Sequence, residues 1–198
     1  KLSKMLTLDS IYHIYDSLVS HWDNSFEVVI GCKKKGDKFN QDIDFSHPED
    51  GMMPLDSITY LPDDILVKVD RAAMFTSLET RAPFLDKDVV EFSWKLPLNM
   101  KIRGSQGKWV LKKVLDKYVP KELVDRPKMG FGVPIDSWLR GPLREWAEDL
   151  LSEERLKSDG YFHVELIRDK WKEHLSGHRN WQYQLWSVLM FQIWLDSQ

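Results

Sequence analysis

The chain has 198 residues, 42% of them apolar and 30% charged, with 28 Lys and Arg against 31 Asp and Glu for a net charge of −3. That length supports a real core, and the composition is neither that of a disordered chain nor that of a basic nucleic-acid coat. One cysteine, Cys32, excludes a disulfide scaffold and a cysteine-ligated metal cluster, and it fits a reducing, cytoplasmic setting. No apolar run approaches the roughly 20 residues of a membrane span, and no signal peptide is visible. The nine Trp mark a well-packed protein, because large aromatics dominate burial. The chain opens KLSKMLTLDS without an initiator Met, so the expectation is a piece of something longer.

In chain order, Leu8, Ile11, Tyr12, Tyr15, Leu18, Val19 and Trp22 fall at helical spacing over roughly Leu6 to Trp22. Phe26 to Gly31 is a short run that fits a brief strand or a helix end equally well. The stretch from Gly31 to Gly36 lacks a Gly-Lys-Ser/Thr ending and is no phosphate loop. Asn40 to Met53 is acidic, with Pro48 and Gly51, and reads as an exposed loop. Pro62, followed by two acids, opens a helix to about Thr76. Asp86 is a good N-cap for a helix that stops before Pro97. Further helices are expected from about Lys108 to Tyr118, briefly after Pro120, after an Asp136 cap, from Pro142 to Leu151, from Val164 to Leu175 with Gly177 closing it, and from Asn180 to Leu195. The last is apolar nearly all round, so Trp186 and Trp194 are expected inside. The stretch from Arg126 to Pro134 cannot be regular structure. There is no βαβ alternation and no convincing sheet. The expected architecture is mainly α, a bundle of seven or eight helices forming one domain over 1–198.

No self-sufficient catalytic signature is present: no Gly-x-Ser-x-Gly, no His-Glu-x-x-His and no Walker A. His174 and His178 stand four apart, a metal-like spacing, but Gly177 interrupts the helix between them, and a surface pair is the simpler reading. Two stretches stand out. On the helix after Pro62, Asp64, Lys68 and Arg71 form a stripe of both signs, which on spacing alone is a solvated, self-paired face. Downstream, Glu79 and Arg81 flank one residue, so an extended backbone points them the same way. They suit a buried or half-buried ion pair, or a clamp between two helices. The second stretch sets Lys128 beside Gly130, Phe131 and Gly132, between Pro127 and Pro134. Glycines let a backbone approach a ligand, and a lysine fixed this way can sit as a point charge against a phosphate. The competing reading is an ordinary surface lysine in a turn.

Four blocks occur in order and at suitable spacing: YLPDDILVKVDRAAM, SLETRAPFLD, RPKMGFGVPIDSWLRGPLRE and HLSGHRNWQYQLWSVLMFQIW. Together they resemble the C-terminal synthetase domain of glutamine-hydrolysing asparagine synthetases, from about Asp56 to the end. The resemblance implies the helical half of an adenine-nucleotide α-hydrolase-like synthetase domain. It implies an ATP-dependent ligase in which aspartate's side-chain carboxylate forms an acyl-adenylate that reacts with glutamine-derived ammonia. It implies ATP and magnesium as cofactors of the intact parent, and the ATP-binding half and the glutaminase domain as partners upstream. The lysine matching Lys128 would face the phosphates as a catalytic residue. Gly130, Phe131, Asp64, Lys68, Arg71, Glu79 and Arg81 would lie in or near that neighbourhood. The chain departs from the family in having neither the Ser-Gly-Gly-x-Asp-Ser loop, nor the acidic Gly-x-x-Asp-Glu stretch, nor an N-terminal cysteine. No cofactor, metal, nucleic acid or membrane is expected for this chain alone. It is expected to be inactive by itself. Two alternatives stay open: a non-catalytic helical interaction module, and a related amide- or β-lactam-forming ligase acting on another carboxylate.

Overall fold

A computed structural model describes residues 8, 10–22, 24–33, 47–125 and 132–198. Among these the structure is helical apart from one two-stranded ribbon, Ile102–Arg103 paired antiparallel with Gln106–Gly107. The mainly α expectation holds. The helices are more numerous and shorter than the seven or eight expected, because Pro and Gly interrupt the apolar periodicity so often. Contacts divide the chain into two compact units: Lys1–Asp9, Asp16–Asp42 and Phe131–Gln198 in the first, and Ser10–Tyr15 with Ile43–Gly130 in the second.

Helix α1, Ile11–Val19, spans the division. In the second unit, α2 runs Pro48–Ile58, with Pro48 in its first turn where a missing N–H costs nothing. The acidic stretch therefore ends in helix: Glu49 and Asp50 are first-turn residues, favoured there by the helix dipole, and the expected loop does not extend to Met53. A π-helical stretch, Leu61–Leu66, leads without a break into α3, Val67–Phe75. After a 3-10 turn at Pro83–Leu85, α4 runs Lys87–Lys95. Asp86 caps it as expected, its Oδ1 accepting from Asp88 N at 3.0 Å and Val89 N at 3.4 Å. Helix α5, Trp109–Leu115, is followed by a single turn at Lys121–Val124.

This unit buries little. Tyr15, Leu55 and Ala73 are its buried apolar side chains. The Tyr15 hydroxyl donates to Asp56 Oδ1 at 2.9 Å, tying α1 to α2. Phe75 is 91% exposed, Tyr118 79%, Leu123 70% and Phe84 66%.

The first unit is built differently. A helical turn, Ser25–Val28, runs into an isolated bridge between Val29 and Phe162, so the ambiguous 26–31 run is both a helix end and a single strand-like pairing. Then α6 Ile135–Arg140, α7 Arg144–Leu150, α8 Glu153–Asp159, α9 Val164–Ser176 and α10 Gln182–Asp196 surround one continuous core. Gly177 ends α9 with φ +77, the left-handed conformation that glycine adopts without a Cβ penalty. Asp136 does not cap α6. It sits in the first turn, and its carboxylate turns instead to Arg140 at 2.9 Å, one helical turn on.

Leu139, Leu151, Ile167, Trp171, Leu185 and Leu189 are fully enclosed in that core. Trp194 is 53% exposed and Trp186 only partly buried, so the tryptophan at the centre is Trp171 and not either of the two expected. A helix apolar on all sides still has one face that its neighbours do not reach. On α10 that face carries Met190, Ile193 and Trp194.

Candidate functional site

Lys128, Gly130 and Phe131 lie outside the described residues, as do Arg126, Pro127 and Met129. Their flanks are described. Upstream, Asp125 follows the Lys121–Val124 turn. Downstream, Val133 is half-exposed and Ile135 is buried in the core of its own unit. The Asp136 amide donates to Gln182 Oε1 at 3.0 Å, which anchors the start of α6 to α10.

The Pro62 helix delivers the charged stripe. Lys68 Nζ lies 2.6 Å from Asp64 Oδ1 at the i, i+4 spacing read from the sequence. That hydrogen bond holds the Lys68 ammonium above its ordinary value. Both side chains are substantially exposed, so the pair contributes little to stability. Asp64 sits inside the π-helical stretch and Lys68 in α3, so the stripe crosses a local widening of the helix. Arg71 is exposed, with no ion pair among the described residues. Glu79 and Arg81 do pair, but in solvent: the side chains are 70% and 88% exposed, which corrects the buried or half-buried expectation. Neither flank belongs to an element that packs over them, so this ion pair is left in water.

A polar cluster around one buried histidine in the first unit escaped the sequence reading. His174 is fully enclosed, while His178 is exposed, so the two are neither a metal pair nor a surface pair. Among the described residues no group of three or more His, Cys, Asp or Glu could hold a metal ion. His174 Nδ1 accepts from the Trp181 amide at 3.2 Å and lies 3.8 Å from Asp136 Oδ1. That acceptor role places the neutral ring's proton on Nε2. The Trp181 ring lies 3.7 Å from Lys170 Nζ and 4.0 Å from Arg179 Cζ, and its Nε1 donates to Glu173 at 2.6 Å. The i, i+4 spacing of Asp136 and Arg140 was readable. Their meeting with His174 joins residues almost forty positions apart, and no local pattern signals it.

Burial, followed by the nearby Arg140 charge, pushes the His174 imidazole below its ordinary value. The unfolded chain therefore binds this proton more readily than the folded one. The stability tied to the neutral ring is fully present above the unfolded pKa of about 6.5, and it falls as pH drops from there toward the depressed native value. Melting temperature should decline with acidification in that window, and His174→Phe should flatten the slope. An unchanged slope in that variant would remove His174 as the cause.

A profile of the family described as Asparagine synthase matches residues 2–196. The chain belongs to the asparagine synthase family. The match reaches well upstream of Asp56, into the segment that carries no motif of its own. The chain is similar to asparagine synthetase [glutamine-hydrolyzing] 1 of Bacillus subtilis (strain 168), at 34% identity over 143 residues, covering 72% of this chain and 22% of that protein. It is 37% identical over 144 residues to a putative asparagine synthetase [glutamine-hydrolyzing] of Mycobacterium tuberculosis (strain ATCC 25618 / H37Rv), with the same coverage of 72% and 22%. A more distant likeness, 26% over 122 residues, is to the amidase chyE of Penicillium rubens, covering 58% of this chain and 18% of that protein. The chain thus spans about a fifth of the length of the synthetases it matches. No solved structure matches it.

The sequence carries no Walker-type phosphate loop. No helix is long and apolar enough to cross a membrane, among the residues described.

Proposed function

We propose that this chain is the helical part of an ATP-dependent, amide-forming ligase of the asparagine synthetase type, with aspartate as the default carboxylate. The observation that carries the reading is the family match over 2–196, combined with coverage of only 22% of each relative. In this reading the nucleotide, magnesium and glutamine-derived ammonia are handled by the remaining parts of the parent protein, in the cytoplasm. This chain contributes Lys128 to the phosphates, with Gly130 and Phe131 beside it in sequence. Asp64, Lys68, Arg71, Glu79 and Arg81 line the approach.

The test has two arms. The coding frame should continue upstream into a Ser-Gly-Gly-x-Asp-Ser loop, and the intact product should exchange pyrophosphate into ATP in the presence of aspartate. The 198-residue chain alone should give no exchange above a heat-killed control. Turnover by the isolated chain would sink the division of labour. A frame that starts at Lys1 would favour a non-catalytic helical module.

A further inference from the structure

The chain as a whole carries a net charge of −3, but residues 101–121 hold seven Lys or Arg (101, 103, 108, 112, 113, 117 and 121) against the single acid Asp116. This segment covers the two-stranded ribbon, α5 and the start of the following turn. It also supplies most of the lining of an open pocket of about 160 Å³. Lys112, Lys113 and Lys121 line it together with Trp109, Asp116 and Asp125. The guanidinium of Arg103 lies 3.5 Å from the centre of the Trp109 ring, which stiffens the aromatic wall. Lys108, which begins α5, is held at φ +57, a conformation costly for a residue with a Cβ.

The ammonium groups are poorly matched by their neighbours. Lys113 and Lys121 share one carboxylate, Asp116, each at 3.8 Å, and Lys112 stands 3.9 Å from Asp125. All three distances exceed hydrogen-bonding range, so the N–H donors are not consumed by these pairs. Three ammoniums facing two carboxylates leave the cavity cationic, inside a segment that adds further positive charge around it.

We propose that this cavity is a binding site for a multivalent phosphate anion of the size of pyrophosphate. Three lysines lining one open pocket, against two carboxylates, suit a compact ligand that is itself multiply charged and presents acceptor oxygens on several sides. A phosphate chain meets both conditions. A monocarboxylate meets neither. The site lies among described residues and does not depend on the role of Lys128.

The test is calorimetric titration of the full chain with sodium pyrophosphate at low ionic strength. Saturable binding is expected with a Kd of about 1 mM or tighter, weakening as salt screens the charges. The Lys112→Gln/Lys113→Gln/Lys121→Gln variant should lose at least about tenfold in affinity. These lysines are half-exposed, so Gln leaves the fold intact. Lys101→Gln/Lys117→Gln removes two charges from the same segment without touching the cavity lining, and it should weaken binding less than about threefold. Asp116→Asn should tighten binding. Absence of saturable binding overturns the site. An equal loss in the Lys101/Lys117 variant also overturns it, because a diffuse field would then suffice. Loss confined to Lys128→Met would overturn it too, placing the anion at Lys128 instead.

Discussion

In the intact ligase proposed above, replacing Lys128 with Met should lower kcat by about a hundredfold or more, the size typical of losing one well-placed electrostatic stabiliser. The KM for ATP should change much less. Adenylation builds negative charge on the α-phosphate and the departing pyrophosphate. A fixed ammonium aimed there acts more strongly on the transition state than on bound nucleotide. In the sequence Lys128 stands between Pro127 and the Gly130–Gly132 pair, residue types that respectively restrict the backbone and permit close approach. Lys128→Arg should rescue only in part, since a planar fork does not replace a compact ammonium. Met keeps much of the length and removes the charge. If Lys128 merely supports a turn, the Met variant would shift melting temperature and leave kcat near wild type. Measuring both quantities on one preparation separates the two outcomes.

Truncating Trp171 to Ala should cost about 3–5 kcal/mol in folding stability, read as a lower midpoint in urea. Trp171 is fully buried at the centre of the first unit's core. Its loss removes the packing of a large ring and leaves a cavity that short helices can only partly collapse into. It also removes a hydrogen bond, since Trp171 Nε1 donates to Glu148. Burial works to raise the Glu148 carboxyl, but the donors Trp171 and Arg168 outweigh it and hold the group below its usual range. Trp171→Phe keeps most of the ring volume and gives up the N–H donor, so its cost should be nearer about 1 kcal/mol. A mild loss in both variants would show that the core does not depend on this ring. Trp194→Ala is the matching control: with that side chain 53% exposed, its effect should be the smallest of the three.

The helices were legible because apolar spacing and capping chemistry are local. Asp86 caps α4, Gly177 closes α9 and Pro62 sits in the first turn of its helical stretch, each for a reason carried within a few residues. The family resemblance was legible for a similar reason: four blocks in order are a property of the string. The Asp64–Lys68 pair followed from helical spacing alone. By itself, then, the sequence determined the helical class, most helix starts and stops, the family, and the identity of the lysine to test.

Burial was decided elsewhere. Trp171 and Trp194 both stand on helices with apolar faces, and only the packing of α6, α7, α9 and α10 encloses one and leaves the other in solvent. The same holds for His174, buried against Asp136 and the Trp181 amide, and for Glu79 and Arg81, which pair while both side chains stay exposed. The lysines at 112, 113 and 121 look like ordinary surface charges in the string. Their convergence on one cavity depends on how α5 and the following turn fold back on each other. Local chemistry sets which backbone a segment adopts. Which face of it leaves water depends on partners distant in sequence, and that information exists only in the tertiary fold.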